Sequence, residues 1–197
     1  GIGGGGALAY TYKLLFIMKC LLDNIIFSLQ KSGGASVVWK EHLSRLTEEK
    51  DVTNVFIDYK KSWENISRRE LKLPENDVRY YSDKLLWVSR YMDLKLNDEG
   101  KHIFHSSHYR INKAKDAINV TTVHDFIYEK FVSGLRRIVH SAQKKHAILN
   151  SDAVICVSNS TRNDLLRYMP EVDGEKIHVI YNGVNPCYHI LTDDKYQ

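Results

Sequence analysis

The run Asn119-Val120-Thr121-Thr122-Val123-His124-Asp125 constrains this chain more than any other stretch. Its β-branched residues up to Val123 suit a strand buried on both faces, and side chains with titratable chemistry first appear where that strand would end. Strands of this kind belong to open parallel sheets, in which ligands bind at the carboxyl ends. His124 and Asp125 are therefore expected at the rim of a cleft.

The rest of the chain supplies partners for such a strand. Apolar runs predict further strands at 18–27, 52–59, 78–81, 102–105, 153–157 and 176–181. Between them, Val38, Leu43 and Leu46 repeat at helical spacing behind Gly33-Gly34, and Ser82 is placed to cap a helix running to Met92. Leu135, Ile138, Val139, Ala142 and Leu149 form an apolar stripe on a helix over 133–150, with Arg136, Arg137, Lys144 and Lys145 on its solvated faces. Ser158 ends a strand and offers an N-cap to a helix over 160–168, while the Lys- and Arg-rich piece 60–72 reads as a solvated loop or short helix. Strands alternating with helices give an α/β, doubly wound parallel sheet with right-handed crossovers. We expect one such domain over 18–184, an added or upstream extension over 1–17 and the start of an interdomain linker over 185–197.

Composition narrows the partners. Lys plus Arg exceed Asp plus Glu by 28 − 24 = 4, with a pI near 8.8, which permits an anionic ligand or membrane surface without calling for nucleic acid. Cys20 and Cys156 fall in apolar runs and no cysteine pair has metal-like spacing, so free thiols in a reducing cytosol are expected. The apolar run 14–27 is interrupted by Lys19, Asp23 and Asn24 and is too short and polar to span a bilayer.

Candidate chemistry concentrates in a few places. The string Gly1-Ile2-Gly3-Gly4-Gly5-Gly6 matches a dinucleotide fingerprint, but no strand precedes it, and we read it as chance. Gly33-Gly34 follows a strand and opens a helix, where free N–H groups and the dipole favour a negatively charged ligand; a loop without a ligand is equally compatible. His102 and His105 lie three apart on a strand and face opposite sides, so a shared metal is not expected.

Taken in order, Gly33-Gly34, His124-Asp125, Ser158-Asn159-Ser160-Thr161-Arg162-Asn163-Asp164-Leu165 and Lys176-Ile177-His178-Val179-Ile180-Tyr181-Asn182-Gly183-Val184 resemble the N-terminal domain of GT-B glycosyltransferases of the group 1, or family 4, type. The resemblance implies one Rossmann-like half of a GT-B architecture. It also implies a retaining, metal-independent transfer of a sugar from a nucleotide-diphosphate donor to a glycan or lipid-linked acceptor, as in surface polysaccharide synthesis, with no cofactor. On the same ground His124 would contact the reacting centre and Asp125 would shape the turn and orient it. Gly33, Gly34, Ser106, Tyr109 and Ser158 would line the substrate cleft. A cytoplasmic enzyme, peripheral at an anionic inner membrane face, fits this picture.

Family members bind the nucleotide through a second domain with a Glu-x7-Glu motif, and no such domain is expected within these residues. Glu41 and Glu49 have the spacing by chance, since no donor loop precedes them. A nicotinamide or flavin oxidoreductase would share the fold, but it needs glycines tight against the first strand. A non-catalytic sugar- or membrane-binding module is the stronger rival, because a lone His at a strand end can be structural.

Overall fold

The computed structural model describes residues 18–82 and 84–184. The extension expected at 1–17, with its chance glycine match, and the linker expected at 185–197 lie outside the described residues. In chain order the elements are β1 (Met18–Asp23), α1 (Ile26–Leu29), α2 (Gly34–Leu46), β2 (Val52–Tyr59), α3 (Ile66–Glu70), β3 (Val78–Tyr81), α4 (Leu86–Ser89), β4 (His102–Ser106), β5 (Ala117–Val123), α5 (Ile127–Phe131), α6 (Gly134–Leu149), β6 (Ala153–Cys156), α7 (Asn159–Tyr168) and β7 (Ile177–Val179). The strands form a sheet in the order β3-β2-β1-β4-β5-β6-β7, parallel at every pairing. This is the expected Rossmann-like α/β sheet. The chain builds outward from β1 to β3, then crosses back to lay β4 on the other side of β1. The switch point, where a ligand crevice is expected, therefore lies between the carboxyl ends of β1 and β4.

Successive residues of a strand face opposite sides, and both sides are covered. In β1, Leu22 packs with Phe27, Trp39, Leu43 and Phe56 on one face, while Leu21 packs with Ile25, Ile57, Leu86 and Phe104 on the other. At the far end Val123, Phe126, Ile148, Val154 and Leu165 form a third cluster between the sheet and the helices α6 and α7. Full burial of each such side chain contributes about 1.5–3 kcal/mol. Cys20 and Cys156 are buried free thiols, as expected. No helix among the described residues is long and apolar enough to cross a membrane.

Four expectations need correction. The first strand stops at Asp23, and Ile25 to Phe27 turn into α1, with Phe27 N–H bonded to Asn24 O; both forms bury these residues, so apolarity alone did not separate them. The segment 60–72 is not solvated throughout: Arg68 is buried and donates to Asp58 Oδ2 at 2.6 Å, and Asn65 caps α3 and donates to Gln30 O at 2.8 Å. Ser82 caps no helix. Its Oγ accepts from Lys84 N, and the four-residue α4 begins behind Leu85, whose φ of 58° lies in the left-handed region.

The fourth correction concerns α6, whose bounds match but whose buried face does not. Leu135, Ile138 and Val139 are exposed, and the inner face carries Gln143, Lys144, Ala147 and Ile148. The buried face is thus nearly opposite the expected stripe, turned by roughly 160° about the helix axis. Specific partners fix it: Gln143 Nε2 donates to Arg90 O (2.7 Å) and Tyr109 O (3.0 Å), and Lys144 Nζ donates to Asp125 O (2.9 Å) and Glu129 Oε2 (2.8 Å). A buried ammonium is tolerated only when so satisfied.

Candidate active site

The glycine loop enters the crevice because its flanks are tied down. Asp23, at the end of β1, is fully buried and accepts hydrogen bonds from Tyr59 Oη (2.9 Å) and Ser106 Oγ (2.8 Å), with Arg110 Nε 3.5 Å away. Burial, then the Asp23 charge, hold the Tyr59 phenol far above its ordinary value, so it stays a donor. Ser107 Oγ donates to Asp23 O and accepts from Ile26 N, stitching the end of β4 to the turn after β1. Above this floor α2 starts at Gly34, behind Gly33, with no side-chain cap. The first intrahelical bond recorded there is Val37 N to Gly33 O, so the N–H groups of Gly34, Ala35 and Ser36 have no partner within the helix, which is the arrangement that attracts anions.

Two cavities open at this end of the sheet. The larger, about 510 Å3, is lined by Gln30, Gly34, His108, His124, Asp125 and Tyr128 among others. The smaller, about 180 Å3, is lined by Trp39, His42, His105, His124 and Tyr181 among others. His124 is common to both. It follows the last residue of β5, its carbonyl accepts from Thr161 Oγ1 (3.2 Å), and its ring makes no hydrogen bond with a described residue. Burial lowers its pKa, opposed by the Asp125 charge. A neutral imidazole with free nitrogens can accept a proton or hydrogen-bond a sugar hydroxyl.

The expected site residues separate into groups. His124, Asp125, Gly34 and Tyr109 line the larger cavity and Ser106 the smaller. Asp125 is exposed and its Oδ1 accepts from Ile127 N (3.0 Å), so it shapes the turn, while its influence on His124 is electrostatic rather than a hydrogen bond. Ser106 spends its hydroxyl proton on Asp23. Gly33 lines neither cavity; a β-carbon there would stand 2.9 Å from the end of the Gln30 side chain. Ser158 also lines neither. Its Oγ accepts from Thr161 N (3.1 Å) as the cap of α7.

Sequence reasoning missed the aromatic and imidazole wall. Trp39 and His42 come from α2 and stack edgewise on His105 at 5.0 and 5.3 Å. His105 Nε2 meets Thr122 Oγ1 at 2.9 Å; burial, then His42 and His124, push its pKa down to about 3. On the other side Tyr128 and His140 stack at 3.8 Å, with Tyr109 edge-on to His140. His102, by contrast, turns away to Gly100 O and Asn112.

The sequence profile of Glycosyltransferase Family 4 matches residues 32–187, from just before the glycine pair to beyond β7. The chain belongs to this family. The match encloses Gly34, His124 and the smaller cavity, and the fold is the N-terminal half of a GT-B glycosyltransferase of the group 1 type. Shorter similarities link this family 4 domain to alpha-maltose-1-phosphate synthases. That of Mycobacterium tuberculosis (strain ATCC 25618 / H37Rv) is 49% identical over 39 residues, 20% of this chain and 10% of the relative. That of Mycolicibacterium smegmatis is 40% identical over 47 residues, 24% of this chain and 12% of the relative. The matched stretches thus span about a tenth of those relatives.

Proposed function

We propose that this domain is the acceptor-side half of a retaining, metal-independent glycosyltransferase that moves a sugar from a nucleotide-diphosphate donor to a glycan or lipid-linked acceptor in surface polysaccharide synthesis. One observation carries the reading: His124, at the carboxyl end of a central strand, lines both cavities, and its ring makes no hydrogen bond with a described residue. The uncapped start of α2 across the crevice offers partial positive charge to a diphosphate, which lessens the need for a metal ion. Donor recognition belongs to a second domain, so the described domain by itself binds nucleotide sugar weakly. The protein works in the cytoplasm, with peripheral contact to an anionic membrane through exposed residues of α6, which include Arg136, Arg137, Leu135 and Ile138.

The test is transfer of labelled sugar by the protein that carries this domain together with a donor-binding half. The product should keep the donor's anomeric configuration by NMR, and a chelator should leave the rate unchanged. Inversion, or loss of turnover on chelation, overturns the corresponding part of the reading.

A further inference from the structure

A third cavity, of about 390 Å3, lies between α4 and α6. Tyr91, Leu135 and Val139 give it apolar walls, Arg90 and Arg136 give it charge, and Tyr128 and His140 line both it and the 510 Å3 cavity. The stacked Tyr128–His140 pair is therefore the partition between this groove and the chamber of His124.

Two features of the groove are unexplained by folding. The helices beside it expose large apolar side chains: Leu135, in the groove's lining, is 75% exposed, and elsewhere on these helices Ile138 of α6 is 64% and Trp87 of α4 72% exposed. Apolar faces of this kind mark binding surfaces more often than plain surface. Its two guanidinium groups also pair with no carboxylate among the described residues. Arg136 rests over the Tyr128 ring at 5.6 Å and Arg90 over the Tyr91 ring at 5.1 Å; Arg90 Nη2 reaches His108 Nε2 at 3.5 Å, while Arg90 Nε is buried without a hydrogen-bond partner among the described residues. Cations left unpaired beside apolar walls complement a molecule that is anionic at one end and apolar along the rest.

We propose that the groove binds the acceptor as an amphiphile, with a phosphate-type group between Arg90 and Arg136 and an apolar chain along Tyr91, Leu135 and Val139. The anionic end then abuts the Tyr128–His140 partition, beside the chamber of His124. This rests on the glycosyl-transfer reading and names the class of its acceptor. The occupant is a single lipid phosphate, not a soluble sugar phosphate.

Isothermal titration of the 197-residue chain with dodecyl phosphate below its micelle concentration tests it. Saturable one-site binding is expected, at least about tenfold tighter than dodecyl maltoside or inorganic phosphate, and weakened about tenfold by Arg90→Gln and by Arg136→Gln. Leu135→Gln should weaken dodecyl phosphate and leave inorganic phosphate unchanged. Absent binding, equal affinity for the charged and neutral headgroups, or indifference to both arginine variants overturns the proposal. So does a chain that self-associates through this face, with Leu135→Gln dissolving the dimer and no amphiphile bound. No sugar donor enters the titration, so its failure leaves the transfer assay standing, and a failed transfer assay leaves this result readable.

Discussion

Single buried polar groups set much of the local structure. Lys144 is fully buried in α6 and ties the turn carrying His124 to α5 through Asp125 O and Glu129. Burial alone would raise the Glu129 carboxyl, yet the Lys144 ammonium holds it below its ordinary value. Lys144→Ala strands a buried carboxylate, so chemical denaturation should show a loss of about 3–5 kcal/mol; the double change Lys144→Met with Glu129→Leu should recover most of it. His105 acts in the opposite sense. Its pKa falls from 6.5 unfolded to about 3 folded, so the unfolded chain takes up a proton that the folded chain refuses. Stability from this site is complete above about pH 6.5 and is lost as pH falls toward 3, at up to about 1.4 kcal/mol per pH unit. Melting curves at pH 7.5 and 5.0 should differ accordingly, and His105→Gln should shrink the difference while costing stability at both; an unchanged difference would contradict the assignment.

Elements were legible where neighbouring residues decide the outcome. The bounds of β2 and β3 and the opening of α2 behind Gly33 follow the apolar pattern and its glycine or proline breaks. Failures arose where the deciding partner is remote. Ile25 to Phe27 are buried whether strand or helix, and the rotation of α6 depends on Glu129, Tyr109 and Arg90, which no periodicity within the helix reveals. The rotation gives a direct contrast. Ile138→Ser, on the exposed face, should change stability by no more than about 0.5 kcal/mol, whereas Ile148→Ala on the inner face should cost about 2–5 kcal/mol. Equal losses in urea unfolding would restore the stripe inferred from the sequence.

At the scale of the molecule, function follows from topology. The strand order reverses between β1 and β4, and the crevice there collects the start of α2, the Ser106–Ser107 turn and the end of β5. His124, Asp125 and Gly34 were readable because strand ends and glycine pairs mark such crevices in one dimension. Trp39, His42 and His140 were not, since a ring on a helix reads as core until packing shows that it walls a cavity. The central claim is that His124 serves the reaction and not the fold, and His124→Ala measured twice tests it most directly. With its ring bonded to no described residue, the substitution should move the melting temperature of this domain by no more than about 2 °C. In the protein carrying both halves it should lower transfer about a hundredfold or more. A large drop in melting temperature, or transfer near wild type, would contradict the account.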